Sequence, residues 1–303
     1  MEREAGLVVI GAGVAGLTAA AVAASHGADV LVIEQMAPGG QISTVEAIRN
    51  FPGFPEGIAG YELGPLLQQQ AEEAGAAFQF DSVERIEADG ARFRVIGAEG
   101  AVIAGAVIVA AGSRRRPLGV PGEADFTGRG VSHCASCDGG FFRGQPVVVV
   151  GGGDSAFDEA EVLAEQVGEV VIVHREAAPH ARSSVRERVE ALGNVRAVSG
   201  DVVAIEGGDG VARVRWRAGD ETVEQPCAGV FVYAGLDPAS DFLGDLVARD
   251  QRGAIVTDAG LQTARPGLFA AGDIRSGAVA LLASAAGEGA TAALAAVRYL
   301  ASR

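Results

Sequence analysis

The sequence predicts an α/β protein of two domains, each built on a doubly wound parallel sheet. The first observation is a strand, a glycine loop, a helix and a second strand in succession over residues 7–34. The second is a repeat of this succession over residues 146–174, in which Gly151 stands 140 positions after Gly11. The third is the length of 303 residues, which exceeds one typical core and suits two medium domains. Such strand-helix-strand units form parallel sheets with a ligand site at the end of the first strand.

The composition is that of a globular protein. Apolar residues make up 49% of the chain, which is enough to form cores, and the 44 glycines cluster in loops rather than in a repeat. The formal net charge of −15 opposes binding to nucleic acid or to an anionic membrane surface. We therefore expect neither as a partner.

No segment predicts membrane insertion or export. The most apolar stretch, Ala101 to Gly112, is far shorter than the roughly 20 residues that span a bilayer, and its Val and Ile content favours a buried parallel strand. The N-terminus runs from the charged residues Glu2, Arg3 and Glu4 into a strand, unlike a signal peptide. We therefore expect a cytoplasmic protein without a disulfide scaffold.

The first glycine loop predicts a dinucleotide site. The strand Leu7–Ile10 leads into the loop Gly11–Gly16, and an Ala-rich helix continues to about His26. The next strand, Asp29–Glu34, ends in an acid 23 residues after Gly11. Glycines at this spacing let the backbone approach a pyrophosphate, the helix N-terminus supplies N–H donors, and the acid accepts from ribose hydroxyls. A tight turn without ligand is the weaker alternative, because these features coincide.

The second domain is predicted to be an insertion in the first. A strand at Val107–Ala110 leads into the basic, Pro-containing segment Arg114–Pro121, where the chain first crosses between domains. After about Ala239 the chain returns, with a strand ending in Gly272-Asp273 and an Ala-rich helix from about Val279 to Leu300. The predicted domains are residues 1–115 with 241–303, and residues 116–240. An acid at that later strand end can accept from hydroxyls in another part of a long cofactor, such as a ribityl chain.

The second glycine loop, Gly151–Ala156, predicts a nicotinamide nucleotide. His174, followed by Arg175, stands 23 residues after Gly151, at the position of the acid in the first unit. A guanidinium in place of the carboxylate favours a 2′-phosphate, and hence NADPH over NADH. Glu176 favours NADH, because a carboxylate can accept from a 2′-hydroxyl. The remaining basic side chains form either a rim around the phosphate or a solvated helix face: His180, Arg182, Arg186 and Arg188.

Cys134 and Cys137, followed by Asp138, form the predicted chemical centre. Two cysteines at this spacing in a turn or first helical turn can close a small disulfide, and nearby N–H dipoles favour the reactive thiolate. Asp138 can supply or accept the proton that thiol–disulfide exchange moves. Zinc is disfavoured because no second ligand pair accompanies the third cysteine, Cys227, and a reducing compartment disfavours a passive disulfide. Cys227 itself is interpreted as a buried small hydrophobe.

Taken in order, these motifs resemble the low-molecular-weight thioredoxin reductase family over nearly the whole chain. The segments that carry the resemblance are Gly11–Gly16, Gly39-Gly40-Gln41, Asn50–Phe54, Cys134–Gly139, Gly151–Ala156, His174-Arg175, Phe231–Gly235 and Phe269–Asp273. The resemblance implies two Rossmann-like dinucleotide-binding domains, the second inserted into the first. It implies FAD in the outer domain, and NADPH and the cysteine pair in the inserted one. It further implies a homodimer that reduces a thioredoxin-like protein or another disulfide substrate.

The same resemblance implies roles for individual residues. Cys137 would face the flavin and Cys134 would attack the partner's disulfide, while one domain rotates on hinges near residues 115 and 240. Glu34 would contact the adenosine ribose of FAD and Asp273 its ribityl chain. The implied FAD-binding residues are Gly11, Gly13, Val14, Ala15, Gly16, Glu34, Gln35, Gly39, Gly40, Gln41, Asn50, Val83, Ala111, Gly112, Gly272, Asp273, Ala280 and Leu281. The implied nucleotide-binding residues are Gly153, Asp154, Ser155, His174, Arg175 and Arg182.

The chain departs from the family pattern at two places. Glu176 replaces the second arginine of a His-Arg-Arg segment, and Ala280-Leu281 replaces an Arg-Gln pair beside the flavin. These changes keep three alternatives open: NADH in place of NADPH, a dithiol oxidase that passes electrons to oxygen, and a ferredoxin-linked reductase or flavin oxidase with incidental cysteines. Asp138 argues against the dithiol oxidase, whose known members usually have His at that position.

Overall fold

A computed structural model of the chain describes residues 3–303, so that Met1 and Glu2 of the charged N-terminus lie outside the described residues. The chain forms two compact units. The outer unit comprises the chain up to Arg114 together with Asp237–Arg303, and the inserted unit comprises Arg115–Leu236.

The strands of the described residues, in chain order, are β1 (Arg3–Ile10), β2 (Val30–Glu34), β3 (Ala77–Phe80), β4 (Val83–Asp89), β5 (Arg92–Gly97), β6 (Ala101–Val109), β7 (Ser113–Arg115), β8 (Val131–Ser132), β9 (Pro146–Val150), β10 (Glu169–His174), β11 (Val195–Ser199), β12 (Asp201–Gly207), β13 (Val211–Ala218), β14 (Glu221–Pro226), β15 (Gly229–Val232), β16 (Leu236–Pro238) and β17 (Leu268–Ala270). The α-helices are α1 (Val14–Ser25), α2 (Gly60–Glu73), α3 (Glu123–Phe126), α4 (Ala135–Asp138), α5 (Asp154–Ala164), α6 (Ser183–Glu190) and α7 (Leu282–Ala301). Short 3₁₀ helices lie at Gly40–Thr44, Gly139–Phe142 and Asp241–Leu246.

The outer unit is built on a mixed sheet with the strand order β3-β2-β1-β6-β5-β4. The first four of these strands are parallel, whereas β5 and β4 are antiparallel additions. Two strands pair with the same edge of β6. Its first half pairs with β5, and its last residues pair with the parallel strand β17. One face of the sheet packs against α1 and α7, whose alanines form a core with Leu7 and Val9. Small side chains on both helices let them approach each other closely.

The inserted unit is built on a fully parallel sheet with the strand order β11-β10-β9-β15-β8. One face packs against α5, with Phe157 and Leu163 fully buried. The other face is covered by the antiparallel sheet β12-β13-β14, from which Trp216 joins the core. Near-continuous Val and Ile runs form these strands, because a strand covered on both faces needs no polar alternation. The two predicted strand-helix-strand units are confirmed as β1-α1-β2 and β9-α5-β10.

The C-terminal helix begins later than the sequence predicts. The expected start is near Val279, whereas α7 begins at Leu282. Leu281 is in an extended conformation with φ −133° and ψ 140°, and its N–H bonds back to the carbonyl of Val279 at 2.7 Å. The segment before the helix is therefore non-helical, although its Ala and Leu content favours a helix. No helix in residues 3–303 is long and apolar enough to cross a bilayer.

Candidate active site

The first glycine loop joins β1 to α1 in a geometry that suits a pyrophosphate. Gly16 allows close contact between helix and strand, because a Cβ there would fall 1.9 Å from the carbonyl oxygen of Gly11. Gly13 forms the N-cap of α1 without a side-chain cap, and a Cβ at this position would meet no atom within 4 Å. The first-turn N–H groups of α1 have no intrahelical partners, so that they are available to an anion at this open position.

Glu34 ends β2 beside this loop. Its carboxylate accepts from the N–H of Ala12 at 2.7 Å and from the N–H of Met36 at 2.9 Å. These two bonds fix the carboxylate between the loop and the chain beyond β2, and a carboxylate can accept further hydrogen bonds from ribose hydroxyls. Gln35 follows it and is exposed.

A second loop of the outer unit lies against the first. The N–H of Gly39 bonds to the carbonyl of Ala12 at 2.7 Å, and a Cβ at Gly40 would lie 3.4 Å from Gly13. Gln41 donates from Nε2 to the carbonyl and the hydroxyl oxygen of Ser113, both at 3.0 Å. The segment at residues 39–41 therefore borders the glycine loop, and Gln41 joins this segment to Ser113.

The strand end after β17 reaches the same loop. A Cβ at Gly272 would lie 3.0 Å from the Cβ of Ala15, and the N–H of Gly272 donates to Glu288 at 2.8 Å. Glu288 also forms a largely buried ion pair with Arg275. Burial raises the pKa of Asp273 above its usual range, and the negative charge of Glu288 adds to this. The structure thus places Asp273 beside an anchored carboxylate.

The other predicted residues of the outer unit differ in their surroundings. A Cβ at Gly11 would lie 3.0 Å from Ala111, which packs with Val83 in the core on the opposite face from α1. The first glycine loop is therefore bordered by Ala111 and its neighbour Gly112. The residues that are exposed to solvent are Asn50, Ala280 and Leu281. Taken together, the loops, the uncapped helix and the two acids fit a long dinucleotide such as FAD.

The second glycine loop, between β9 and α5, repeats this geometry. Gly151 has φ +150°, and a Cβ there would fall 2.5 Å from the carbonyl oxygen of Tyr233, which excludes a larger residue. Gly153 is the N-cap of α5, again without a side-chain cap, and Ser155 in the first turn is exposed. The loop therefore presents a second uncapped helix N-terminus, which fits the diphosphate of a nicotinamide nucleotide.

Two side chains that follow β10 lie over the second loop. A Cβ at Gly152 would be 2.8 Å from Oε2 of Glu176, and a Cβ at Gly153 would be 2.9 Å from Nε2 of His180. Glu176 and His180 are 4.0 Å apart. His174 is buried, with its Nδ1 at 2.9 Å from the carbonyl oxygen of Glu176.

The predicted basic rim is largely paired with acids. Arg182 forms an ion pair with Asp154 at 2.6 Å, and its N–H also bonds to this carboxylate at 2.8 Å. Arg188 bonds to Glu161 at 2.7 Å and to Asp158 at 3.1 Å, so that it is not simply a solvated helix charge. Arg175 is the remaining exposed cation next to His174.

The cysteine pair lies at the start of α4. Cys134 and Cys137 form a disulfide with their Cα atoms 5.3 Å apart. Cys134 is the N-cap of α4 and its Sγ accepts from the N–H of Cys137 at 3.2 Å. A thiolate at Cys134 would keep this donor after reduction of the disulfide, and hydrogen bonding to the charged form stabilises it. Cys137 is exposed, whereas Cys134 is half-buried.

Asp138 is held by a buried serine that the sequence analysis missed. Ser132 donates from Oγ to Oδ2 of Asp138 at 2.6 Å, and it accepts from the N–H of Cys134 at 3.1 Å. One hydroxyl thus links the backbone of the first cysteine to the acid that follows the second. The sequence could have indicated this role, because Ser132 lies two residues before Cys134 and serine side chains readily form hydrogen bonds with nearby backbone groups.

Glu159 and Tyr233 are further residues that sequence reasoning missed. Glu159 Oε2 accepts from the N–H of Ala135 at 2.8 Å and from the hydroxyl of Tyr233 at 3.0 Å. Burial raises the pKa of Glu159, and these hydrogen bonds oppose the rise. Burial likewise raises the pKa of Tyr233 above its usual range. These contacts join residues 24 and 74 positions apart, so no local motif could reveal them.

The third cysteine lies away from this chemistry. Cys227 is buried in the core beneath β12-β13-β14, and burial raises the pKa of its thiol to about 12. Its prediction as a buried small hydrophobe is confirmed. Among residues 3–303 there is no group of three or more His, Cys, Asp or Glu side chains that could hold a metal ion.

Comparison with known proteins places this geometry among disulfide oxidoreductases. The family described as pyridine nucleotide-disulphide oxidoreductase matches residues 5–289. The chain is 37% identical over 303 residues to thioredoxin reductase of Treponema pallidum, covering 99% of this chain and 98% of that protein. The crystal structure of Lactococcus lactis thioredoxin reductase (FR conformation) matches with a TM-score of 0.96 and 35% identity, covering 99% of this chain and 100% of that one. The crystal structure of T. acidophilum thioredoxin reductase matches with a TM-score of 0.93 and 33% identity, covering 98% of this chain and 99% of that one.

Proposed function

Because the chain belongs to the pyridine nucleotide-disulphide oxidoreductase family, we propose that it passes electrons from NADPH, through FAD and the Cys134–Cys137 disulfide, to thioredoxin. The chain is an NAD(P)H-dependent disulfide oxidoreductase of the thioredoxin reductase type. The single observation that carries the proposal is the disulfide at the start of α4, in the same unit as the second glycine loop.

Thioredoxin reductases of this family use FAD and NADPH, and bound FAD would take up a hydride from the nucleotide and deliver the electron pair to a disulfide. Gly13, Gly40, Glu34 and Asp273 would hold FAD in the outer unit, with the other residues that the resemblance implies. Gly153, Ser155, His174, Arg175 and Arg182 would hold the nucleotide in the inserted unit. The uncapped helix N-termini at both loops support these assignments.

The cysteine pair performs the exchange with the substrate. After reduction, the thiolate of Cys134 attacks the substrate disulfide and forms a mixed disulfide, releasing one substrate sulfur as a thiolate. Cys137 then attacks the sulfur of Cys134, which re-forms the Cys134–Cys137 disulfide and releases the second substrate sulfur. Asp138, held by Ser132, accepts the proton of Cys137 and supplies a proton to a leaving thiolate. The net result is one oxidised cysteine pair and one reduced substrate.

The oligomeric state, the cellular location and the substrate of the enzyme are part of the same proposal. We expect a homodimer that acts in the cytoplasm on a thioredoxin-like protein, as the resemblance implies. Light scattering of the purified protein measures the mass in solution, with the single chain of 30.6 kDa as the reference. A monomer at micromolar concentration would contradict the dimer without affecting the proposed chemistry.

The proposal is tested by separating flavin reduction from disulfide reduction. The purified flavoprotein is mixed anaerobically with NADPH while flavin absorbance is followed, and insulin reduction is then assayed with a panel of thioredoxins. We expect Cys134→Ser to keep flavin reduction and to lose thioredoxin turnover, because no mixed disulfide can form. Cys227→Ala is the matched control and should keep both activities.

Two results would overturn the proposal. One is wild-type enzyme whose flavin is reduced by NADPH but which turns over no thioredoxin. The other is a Cys134→Ser variant that keeps full turnover with its acceptor, as an incidental cysteine pair would allow. Rapid oxygen consumption with small dithiols and without nucleotide would instead support the dithiol oxidase.

A further inference from the structure

We propose that Glu159 is a positioning residue for the cysteine pair, which fixes the start of α4 and raises the proton affinity of Cys134 once the disulfide is reduced. The inference rests on the proposed function in one respect, namely that Cys134 and Cys137 cycle between disulfide and dithiol. Its observation is independent of the glycine loops and of Asp138. It is a half-buried carboxyl that reaches from α5 to the residue following the first cysteine.

Glu159 contacts the cysteine segment at Ala135. This residue is fully buried, and its N–H is one of the first-turn donors of α4, which has no intrahelical acceptor for it. Glu159 supplies that acceptor at 2.8 Å. A buried N–H without a partner is costly, so the carboxyl holds the cysteine segment in place.

The carboxyl of Glu159 is itself held by Tyr233, which lies on a third segment of the chain. Tyr233 follows β15, donates its hydroxyl to Glu159 at 3.0 Å, and bonds through its own N–H to the carbonyl of Val150 at 2.7 Å. Val150 is the last residue before the second glycine loop. Glu159 therefore ties the cysteine segment to the strands that carry the nucleotide loop, all within the inserted unit.

The charge of Glu159 also acts on the sulfur of Cys134. Ala135 N is three bonds from the Cβ of Cys134, so covalent geometry and the 2.8 Å hydrogen bond put the carboxyl within about 7 Å of the Cys134 sulfur. The other charged groups near Glu159 are Arg115, whose guanidinium lies 5.9 Å from the Tyr233 ring, and Asp158. A nearby carboxylate opposes formation of a thiolate, whereas the N–H of Cys137 favours it.

These opposing effects have a redox consequence. Reduction of the disulfide takes up two electrons and one proton and leaves one thiol and one thiolate. A group that stabilises the thiolate stabilises the reduced form and makes a cysteine pair more oxidising. By opposing the thiolate at Cys134, Glu159 makes the pair a stronger reductant, which suits delivery of electrons to another disulfide.

The test measures the proton affinity of Cys134 directly. Full-length flavoprotein is reduced with a phosphine, freed of reductant anaerobically, and alkylated with iodoacetamide between pH 5 and pH 10. The rate at Cys134 is read from peptide fragment ions. We expect Glu159→Gln to lower the apparent pKa of Cys134 by about one unit. At pH 6 the alkylation rate should rise about threefold, because lower nucleophilicity partly offsets the tenfold gain in thiolate.

Two further variants keep the result interpretable. Glu165→Gln removes the same charge from the exposed C-terminal end of the same helix and should leave the pH profile unchanged. Tyr233→Phe removes a hydrogen bond that favours the charged form of Glu159, so that the carboxyl carries its charge less of the time and the profile should shift in the same direction by less than in Glu159→Gln. The Tyr233→Phe profile also decides the question if Glu159→Gln does not fold.

An unchanged profile in Glu159→Gln, an equal shift in Glu165→Gln, or a higher apparent pKa in Tyr233→Phe would overturn the inference. Because reduction is chemical and no thioredoxin is present, failure of NADPH-dependent turnover does not affect this measurement. An active thioredoxin reductase whose profile is insensitive to Glu159 would reject the inference alone.

Discussion

At the scale of single residues, Asp138 is the side chain whose loss should affect disulfide exchange most selectively. Its carboxylate is fixed by Ser132 beside the cysteine backbone. We expect Asp138→Asn to lower thioredoxin turnover by roughly a hundredfold, the usual scale for loss of a general acid or base. Flavin reduction by NADPH in stopped flow should be unchanged, because it precedes the exchange. Asp125→Asn, at an exposed acid of α3, is the control, and turnover within twofold of wild type in Asp138→Asn would reject this role.

Glu176 should set how strongly the second glycine loop discriminates between nucleotides. Its carboxylate lies next to Gly152 and 4.0 Å from His180. We expect Glu176→Arg to raise the ratio of kcat/KM for NADPH over NADH by about tenfold or more, since a guanidinium bonds to the 2′-phosphate and the repelling carboxylate is gone. Steady-state kinetics with both nucleotides measures the ratio. Glu190→Arg makes the same charge change at the end of α6 and should leave the ratio unchanged; a ratio that also stays constant in Glu176→Arg would place the 2′-phosphate elsewhere.

The residues that sequence reasoning found and those that it missed differ in how their partners are spaced. Cys134, Cys137 and Asp138 form a local motif whose chemistry follows from adjacent positions. The role of Glu159 depends on its hydrogen bonds to Ala135 and Tyr233, which lie 24 and 74 positions away in the sequence and are close to it only in the fold. An isolated acid on an amphipathic helix has no property that distinguishes it from a solvated one before the fold is known.

At the scale of helices and strands, the contact between α1 and α7 depends on glycine. A Cβ at Gly289 would fall 2.1 Å from the carbonyl oxygen of Ala15, whereas a Cβ at Gly287 on the same helix would meet nothing within 4 Å. We expect Gly289→Ala to destabilise the protein by about 1–3 kcal/mol through overpacking and to reduce the flavin content, because α1 begins at the first glycine loop. Thermal unfolding and the ratio of flavin to protein absorbance measure both effects.

The matched control for this contact is Gly287→Ala. Here alanine fits without a clash and favours the helix, so the free energy of unfolding should rise by about 0.5–1 kcal/mol and the flavin content should stay the same. Equal behaviour of the two variants would mean that α7 does not pack on α1 as closely as the structure shows.

The strands could be predicted more accurately than the ends of the helices. Pro146–Val150 and Glu169–His174 match β9 and β10, because buried parallel strands are continuous apolar runs between loops. The predicted start of α7 was wrong by three residues. Ala280 and Leu281 are good helix formers, but the hydrogen bond from the N–H of Leu281 to the carbonyl of Val279 holds this segment outside the helix. The pairing of β6 with both β5 and β17 on one edge was not predicted, because strand order depends on contacts between distant segments.

At the scale of the whole molecule, repetition made the architecture predictable. Two glycine loops, 140 positions apart, each require a strand before and a helix after them, which constrains most of two sheets. The antiparallel sheet β12-β13-β14 has no such motif and could not be placed from sequence. The sequence of β13 alternates apolar and charged residues, which indicates a strand with one covered face. Here Arg213, Arg215 and Arg217 alternate with Val214 and Trp216.

The acidic character of the chain should make its stability depend on pH. Burial raises the pKa of Glu159, Asp158 and Asp273, so that the folded state holds their protons more tightly than the unfolded state. Folding therefore takes up protons, and the free energy of unfolding falls as pH rises from the unfolded values, 3.8 for the two aspartates and 4.5 for Glu159, through the raised folded values. Self-repulsion from the net charge of −15 acts in the same direction. We expect the thermal midpoint, measured by calorimetry, to fall as pH rises from 4.5 to 7.5.

The two causes can be separated, because salt screens exposed charges far more than buried ones. In 0.5 M NaCl the contribution of self-repulsion should shrink, while that of the half-buried carboxyls Glu159 and Asp273 should shrink less. Glu159→Gln should then flatten the remaining pH dependence, because its amide has no proton to take up, whereas Glu165→Gln should leave it intact. A midpoint that is constant or rises between pH 4.5 and pH 7.5 would show that these three carboxyls do not govern the linkage.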